Sequence, residues 1–323
     1  MNVNDEFPQR WHRDTFRAMG SEMAVWLETG DPESATTALA QVRTLFESNE
    51  QALSRFRLDS ELSRLNARSG HWVVVSDLLW QVLSLALEMS SATGGLFDPT
   101  MLNALEQYGY TVTYEQLTFI DLSGPESGPS YPGQWTAVKL DPARQAVFLP
   151  AGMRIDLGGI AKGYTAQQAV DWLRDRGPCL VDAGGDLVAG SAPADFSGWP
   201  VAVSSPWSND DRNPVDLCTM WLSNETLATS GIDYRNWQIE GRLVHHLFDP
   251  TSGAPALTDG LTLTILAEDA AKAEAWATAA LVAGSGAGMD ALLEAGMAGL
   301  MVTQDGGILL TPPMHERLQR QPA

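Results

Sequence analysis

The stretch Asp156-Leu157-Gly158-Gly159-Ile160-Ala161-Lys162-Gly163-Tyr164 decides the interpretation of this sequence. It lies between a predicted strand at residues 145–155 and a predicted helix that begins at Thr165. Glycines at such a junction let backbone N–H groups and the positive end of a helix approach a phosphate, and Lys162 adds a positive charge. The spacing matches neither the dinucleotide-binding GxGxxG pattern nor the GxxxxGK[ST] P-loop. A phosphate cradle and a tight turn with a solvated lysine therefore both remain open.

Composition narrows the class of protein. The 323 residues include 44% hydrophobic and 19% charged side chains, enough to bury a substantial core as one large domain or two intimate lobes. The net charge of -20 repels nucleic acid and anionic membrane surfaces, so we expect no nucleic-acid partner. No run of about 18 apolar residues occurs, so we expect no membrane insertion. The N-terminal residues show neither a signal-peptide pattern nor a lipobox cysteine, which predicts a cytoplasmic location.

Hydrophobic periodicity predicts helices at residues 32–53, 76–92, 165–176, 270–283 and 289–295. Alternation predicts strands at 16–28, 145–155 and 179–188 and a final pair near 300–310. Residues 114–144 are rich in Gly, Pro and Ser, which indicates an exposed excursion at a lobe boundary. Hairpin-like and crossover-like connections occur together and favour an α+β fold with mixed or antiparallel sheets flanked by helices. Cys179 and Cys218 lack CxxC spacing, which favours two buried free thiols over the alternative of one disulfide.

Two adjacent histidines, His245 and His246, precede the segment Asp249-Pro250-Thr251-Ser252-Gly253. Adjacent residues on a strand point to opposite faces, so at most one of the two is expected in a given site. An imidazole there could contact a phosphate or assist proton transfer because its pKa lies near neutrality. One packed and one exposed histidine is the alternative interpretation.

Glu274 and Thr278 lie four positions apart on the predicted helix 270–283, which puts their side chains on one helical face. A carboxylate and a hydroxyl are hard oxygen donors suited to Mg²⁺. Surface glutamates and buried helical threonines are also common, so the pair alone only suggests a metal site. Two Gly-containing turns, 182–186 and 228–231, could hold a ribose or pyrophosphate or simply close loops.

Taken in order along the chain, these segments resemble the ApbE family, the FAD:protein FMN transferases. Phe16-Arg17-Ala18-Met19-Gly20-Ser21 is similar to the family's F-x-A-M-G-[ST], and residues 53–66 are similar to its LSRFRPDSELSRLN. The other matching segments are residues 93–100, 156–164, 182–186, 228–231 and 245–253. The resemblance covers residues 16–305 and predicts an N-terminal extension at 1–15 and a C-terminal tail at 306–323.

The resemblance implies an α+β fold of two lobes with FAD in the cleft between them and Mg²⁺ at the pyrophosphate. It also implies an activity: the FMN half of FAD moves onto a Thr or Ser hydroxyl of a target flavoprotein through a phosphoester bond, and AMP is released. The acceptor segment has the pattern D-x-x-[ST]-x-[AS]-T, which this chain lacks. An FAD pyrophosphatase that yields FMN and AMP, and a non-catalytic FAD-binding protein, are the alternatives.

Motif by motif, the resemblance implies metal ligands at the Gly159 carbonyl, Glu274 and Thr278. The family usually has Asp at the position of Glu274, so the longer side chain is expected to shift the ion or to insert a water. Lys162 and one of His245 and His246 are expected at the flavin phosphates as catalytic groups. The remaining FAD contacts implied are Met19, at the isoalloxazine, and Asp182, Gly184, Asp186, Thr229 and Ser230.

Overall fold

Residues 16–28 form a hairpin and not the single strand that their alternation predicts. In the computed structural model, which describes residues 10–117, 132–207, 215–239 and 241–319, two antiparallel strands meet at a turn formed by Met19 and Gly20. Both turn residues have positive φ, 50° and 72°, a conformation that reverses the chain. Buried side chains alternate at the end of β1, whereas Met23, Ala24 and Val25 of β2 are all buried. The turn Met19-Gly20 is not one of the usual hairpin pairs such as Asn-Gly, which explains why the sequence pattern read as one strand.

The described residues contain a large antiparallel sheet and several small ones. Eight strands form the large sheet in the order β1-β2-β6-β7-β10-β15-β16-β17, and all of its described pairings are antiparallel. The small sheets are β3-β5-β4, β8-β9, β11-β12 and β13-β14. The strands are β1 Trp11–Ala18, β2 Ser21–Glu28, β3 Trp72–Val74, β4 Lys139–Asp141, β5 Ala146–Phe148, β6 Cys179–Ala183, β7 Leu187–Ala189, β8 Trp199–Ser204, β9 Asp216–Leu222, β10 Thr226–Gly231, β11 Asn236–Ile239, β12 Arg242–His245, β13 Phe248–Asp249, β14 Ala254–Pro255, β15 Gly260–Ala267, β16 Ala298–Thr303 and β17 Ile308–Leu310.

The helices begin and end largely where polar caps and apolar spacing predict. Asp31 accepts hydrogen bonds from the N–H groups of Glu33 and Ser34, and Pro32 occupies the first turn of α1. The helices are α1 Pro32–Leu53, α2 Glu61–Ala67, α3 Asp77–Ala92, α4 Leu102–Gln107, α5 Tyr114–Leu117, α6 Ala161–Leu173, α7 Ala270–Glu294 and α8 Pro312–Gln319. Two 3-10 turns, Pro99–Met101 and Trp135–Ala137, are the remaining helical elements among the described residues.

Three elements around the Gly-rich stretch differ from the predictions. The strand predicted at 145–155 is limited to β5, and α6 begins at Ala161 and not at Thr165. Helix α7 joins the two helices predicted at 270–283 and 289–295 across a kink at Gly284, which has φ 81° and ψ 179°. Asp259 Oδ1 accepts the N–H of Ser285 just beyond this kink, at 2.7 Å.

Two apolar regions flank the Gly-rich stretch. One packs α1 and α6 against the large sheet and includes Phe46, Met23 and Val170. The other packs α2 and α3 against the small sheet β3-β5-β4 and includes Leu79 and Leu149. The stretch therefore lies between the large sheet and the part of the chain built on α3, as expected for two closely packed lobes.

The chain contains no described helix that is long and apolar enough to cross a membrane. Both cysteines are free thiols, as predicted, but only Cys179 is buried, whereas Cys218 is half-buried. Residues 118–131 of the predicted excursion at 114–144 lie outside the described residues. The division of the chain into an extension at 1–15, a domain at 16–305 and a tail at 306–323 stays a prediction. Strand β1 starts within the predicted extension, and β17 and α8 lie within the predicted tail.

Candidate active site

A cavity of about 1370 Å³ opens between the large sheet and the segments at 53–57 and 110–116. Almost every site residue expected from the sequence lines it, although these residues come from distant parts of the chain. The lining includes Met19, Gly159, Lys162, Asp182, Gly184, Asp186, Thr229, Ser230, His246, Glu274 and Thr278. His245 is the exception: it is absent from the lining.

Lys162 forms the centre of a buried ion cluster in the cavity wall. Its ammonium donates hydrogen bonds to Asp186 Oδ2 at 2.6 Å and to Glu274 Oε1 at 2.5 Å. The three side chains are 12%, 7% and 6% exposed. Burial alone would lower the pKa of Lys162, but the charges of Asp186 and Glu274 outweigh burial and raise that pKa. Lys162 is therefore a permanent cation at neutral pH and is not the solvated lysine of the alternative interpretation.

Glu274 also satisfies the start of helix α6. The residue before α6, Ile160, offers no side-chain cap, and the Gly163 N–H donates instead to Glu274 Oε2 at 3.0 Å. A side chain at Gly163 would meet that oxygen, because a Cβ there would lie 2.9 Å from it. A phosphate at this helix start was one of the two interpretations that the sequence left open, and in the structure the Gly163 N–H contacts a carboxylate of the protein.

Strand β10 connects this cluster to the rest of the cavity. Asp186 Oδ1 accepts the Thr229 N–H at 3.3 Å, so one carboxylate contacts both Lys162 and β10. The hydroxyls of Ser230 and Thr278 are 3.1 Å apart, which links β10 to α7. Polar residues of the β6-β7 connection, β10 and α7 thus converge on one wall.

The turns at Met19 and Gly184 form a second part of the lining. The Met19 N–H donates to Glu50 Oε2 at 2.9 Å, which holds the β1-β2 turn against α1. Gly184 has φ 73°, and a Cβ there would lie 2.6 Å from the Cβ of Ser21. Asp182 Oδ1 accepts the Gly185 N–H at 2.8 Å, and burial raises the pKa of this carboxyl. Gly184 is therefore required for backbone conformation and for the close approach of the two turns.

The two histidines have different surroundings. His245 Nε2 lies 3.2 Å from the Ala256 carbonyl oxygen, behind the cavity wall. His246 Nδ1 lies 3.3 Å from the Arg235 carbonyl oxygen, and His246 lines the cavity. Burial, and then the positive charge of Arg235, lower the pKa of His246 to about 3. Because a carbonyl only accepts, the neutral ring carries its proton on Nδ1 and leaves Nε2 as an acceptor.

The residues implied for a magnesium ion have suitable chemistry. The described residues contain no group of three His, Cys, Asp or Glu side chains arranged to hold a metal. The implied set differs from such a group: it consists of the Gly159 carbonyl, the Glu274 carboxylate and the Thr278 hydroxyl, all of which line the cavity. These are hard oxygen donors of the kind that Mg²⁺ prefers. Glu274 already contacts Lys162, so a bound ion would share that carboxylate with the ammonium.

Sequence reasoning missed two arginines in this lining. Arg235 donates from Nη2 to Ser21 Oγ at 3.1 Å. Arg55 is 4% exposed, pairs with Asp156 at 3.2 Å and donates to the Tyr110 carbonyl at 2.8 Å. Arg55 lies inside residues 53–66, a segment that resembles the family, and this resemblance could have identified it as a site residue. Nothing in the sequence around Arg235 distinguishes it from a surface arginine.

Similarity to known proteins supports this description. The ApbE family model matches residues 19–301. A FAD:protein FMN transferase of Treponema pallidum (strain Nichols) is 30% identical over 268 residues, which cover 76% of this chain and 71% of that protein. A protein of the same name from Klebsiella pneumoniae (strain 342) is 26% identical over 299 residues, covering 90% and 83%.

Solved structures agree at the level of the fold. The ApbE protein of Thermotoga maritima superposes with a TM-score of 0.83 at 24% identity and covers 95% of this chain and 99% of its own. The apo form of Pseudomonas stutzeri flavinyl transferase ApbE gives 0.81 at 22% identity, with coverages of 98% and 100%. The α+β fold expected from the sequence is thereby confirmed, and the family match spans most of the chain. The chain belongs to the ApbE family.

Proposed function

We propose that this protein transfers the FMN moiety of FAD to a Thr or Ser hydroxyl of a target flavoprotein and releases AMP, in a Mg²⁺-dependent reaction. Its relatives are named FAD:protein FMN transferase, and at 30% identity one of them shares most of its length with this chain. The partners are accordingly FAD and a flavoprotein with an acceptor segment.

The observation that carries the proposal is the position of Lys162. A buried ammonium lies in the wall of a cavity large enough for a dinucleotide and is held there by Asp186 and Glu274. A fixed cation of this kind stabilises negative charge on phosphate oxygens without reorganising during the reaction. In phosphoryl-type transfer, positioning and charge stabilisation provide most of the rate acceleration.

The bond changes follow from the chemistry of a pyrophosphate. The acceptor hydroxyl oxygen forms a bond to the phosphorus on the FMN side. The bond from that phosphorus to the bridging oxygen breaks, and AMP leaves with this oxygen and the bonding electron pair. The Lys162 ammonium stabilises charge on the phosphate oxygens, and Asp186 and Glu274 keep it in place.

His246 is the proposed acceptor of the hydroxyl proton. Its Nδ1–H donates to the Arg235 carbonyl, so Nε2 is free of a proton. A pKa of about 3 keeps the ring neutral in the ligand-free protein. The negative charge of a bound pyrophosphate raises that pKa and makes His246 a stronger base in the complex.

Gly159, Glu274 and Thr278 are the residues proposed to hold Mg²⁺. The ion supplies charge neutralisation at the pyrophosphate when bound. Glu274 is one methylene longer than the family's usual Asp, and it reaches the Gly163 N–H as well as Lys162. Met19, Asp182, Gly184, Asp186, Thr229 and Ser230 are proposed to hold FAD, while His245 is proposed only to support the strand that precedes His246.

The test incubates the purified protein with FAD, with or without Mg²⁺, and with a flavoprotein domain that carries a D-x-x-[ST]-x-[AS]-T segment. The expected result is covalently bound flavin fluorescence on the acceptor and an equal amount of AMP. Lys162→Met should abolish both products, and the matched variant of an exposed lysine, Lys139→Met, should not. Changing the acceptor Thr or Ser to Ala should prevent labelling.

Other outcomes identify the alternatives. Release of FMN and AMP without labelling of the acceptor would indicate an FAD pyrophosphatase, and FAD binding without any AMP would indicate a carrier. Glu274→Asp should preserve Mg²⁺-dependent turnover, and Glu274→Ala should reduce both turnover and Mg²⁺ dependence. Wild-type behaviour of Glu274→Ala would show that the metal assignment is wrong.

A further inference from the structure

Arg235 is a cavity arginine without a carboxylate partner among the residues that the structure describes. Three other arginines of the same lining are paired: Arg17 with Glu115, Arg55 with Asp156 and Arg57 with Glu50. The Arg235 guanidinium makes one described side-chain hydrogen bond, from Nη2 to the neutral hydroxyl of Ser21. In a chain with 40 acidic residues, a half-buried cation left with a neutral partner is unusual and indicates that another anion completes it.

The position of Arg235 identifies the kind of anion. Arg235 lines the same cavity as Lys162 and His246, and its backbone carbonyl oxygen lies 3.3 Å from His246 Nδ1, so it lies beside the groups proposed to act at the pyrophosphate. Asp186 and Glu274 balance Lys162, but no described carboxylate balances Arg235. Two cations and an uncharged imidazole around one space form a site for a ligand with more than one negative charge.

The contact with Ser21 places this guanidinium across the cavity. Ser21 begins β2 and lies against Gly184, whereas Arg235 precedes β11 and holds His246 through its backbone carbonyl. A guanidinium has five N–H donors in a rigid fork, so it can contact two oxygens of one phosphate. The hydrogen bond to a serine is a weak neutral interaction that a charged phosphate oxygen can replace.

We propose that the Arg235 guanidinium binds a phosphate group of the flavin dinucleotide and is a second phosphate-binding cation besides Lys162. The proposal rests on the proposed function, since it takes FAD as the ligand. In the ligand-free protein Ser21 holds the guanidinium, and in the complex a phosphate oxygen takes that place. The backbone carbonyl of the same residue fixes the protonation of His246, so one residue positions both the substrate and the base.

The test compares the binding of FAD with that of riboflavin, which has the same ring system and no phosphate. Flavin fluorescence is titrated with wild type and Arg235→Met in the absence of divalent cations, to prevent turnover. A lost charge-assisted contact should weaken FAD binding by roughly tenfold or more, while riboflavin binding stays unchanged. Arg235→Lys should recover part of the affinity, because a point charge replaces the fork.

Two matched variants separate this role from a structural one. Ser21→Ala removes the hydrogen bond but keeps the charge, so FAD binding should equal that of wild type or be tighter. Arg13→Met removes an exposed cavity arginine that lies over Trp26, 5.0 Å from its ring centre, and should leave FAD binding unchanged.

Each failure has a separate meaning. Equal weakening of FAD and riboflavin by Arg235→Met, or unchanged FAD binding, would overturn the proposal for Arg235. A wild-type protein that binds no FAD would instead overturn the proposed function.

Discussion

The two ends of helix α6 carry the same type of ion pair in opposite surroundings. At the N-terminal end, Lys162 contacts Asp186 and Glu274, and the three side chains are 12%, 7% and 6% exposed. At the C-terminal end, Arg174 contacts Asp171 at 2.5 Å, but these side chains are 56% and 51% exposed. The distances are nearly equal, but the buried site joins one lysine to two carboxylates from distant segments, whereas the exposed site is a single pair within one turn.

Burial changes what each contact does for the protein. Water screens the exposed pair, and such pairs contribute about 0–1 kcal/mol. A buried cluster has lost its hydration, so removing one partner leaves uncompensated charge in the interior. Substitutions at the N-terminal end of α6 are therefore expected to destabilise the protein, and those at the C-terminal end to be tolerated, although the ion-pair distances at the two ends are similar.

The largest expected effect is that of Lys162→Met on stability. This change leaves Asp186 and Glu274 buried without a counter-charge and should lower the free energy of unfolding by about 3–5 kcal/mol at pH 7. Urea unfolding measures the loss, with Lys139→Met on the exposed strand β4 as the control. A loss equal to that of the control would remove the distinction drawn between the two ends.

His246 shows how burial without a nearby carboxylate affects the pH dependence of stability. Its pKa of about 3 lies below the ordinary value of 6.5, so between these values the unfolded chain binds the proton and the folded chain does not. Stability is therefore unaffected by His246 above pH 6.5 and falls as the pH decreases toward 3. Between pH 7 and 5 the loss should be about 2 kcal/mol.

Other groups also titrate in this range, so the measurement is a difference. The free energy of unfolding of wild type minus that of His246→Asn is compared at pH 7 and pH 5 by urea unfolding. A difference that does not change with pH would contradict the burial of a neutral imidazole.

A pair of glycine substitutions tests the packing at the buried end. Alanine normally stabilises a helix relative to glycine by about 1 kcal/mol. At Gly163, however, a Cβ would lie 2.9 Å from Glu274 Oε2 and 3.1 Å from the Ala270 carbonyl oxygen, so Gly163→Ala should destabilise by about 1–2 kcal/mol. At exposed Gly286 a Cβ would meet nothing within 4 Å, so Gly286→Ala should stabilise. Melting temperatures that move in the same direction for both variants would contradict this account.

The smallest effect is expected at the exposed end. Arg174→Ala should change the free energy of unfolding by less than about 1 kcal/mol, and added salt should reduce even that difference. Urea unfolding at low and high ionic strength measures it. A loss comparable to that of Lys162→Met would show that exposure does not distinguish the two ends.

The sequence predicted many elements because their signals are local. Helix α1 was predicted with its observed bounds from its apolar spacing, and the structure adds the Asp31 cap and Pro32 in the first turn as local reasons for its start. The hairpin at Met19 was missed because its turn, Met19-Gly20, lacks the Asn-Gly or Asp-Gly type of signal that marks a hairpin in a sequence. The start of α6 was missed because Glu274, more than a hundred positions away, satisfies the Gly163 N–H in place of a local cap.

For the candidate site, residue types were predictable and contacts were not. The family resemblance selected Lys162, Asp186 and Glu274 separately, as a phosphate contact, an FAD contact and a metal ligand. In the structure Lys162 contacts Asp186, 24 positions away, and Glu274, 112 positions away, and no local sequence pattern predicts such contacts. Arg235 lies in a segment with no periodicity, so its position depended entirely on tertiary structure.

The kink at Gly284 divides helix α7 into two parts with different contacts. The first part carries Glu274 and Thr278, whereas the second begins with Ser285, held by Asp259 from a different segment. The two parts nevertheless touch, because a Cβ at Gly288 would lie 2.0 Å from the Ala280 carbonyl oxygen. Any side chain at position 288 would therefore push on the part of the helix that carries Glu274 and Thr278, whereas exposed Gly286 has room for one.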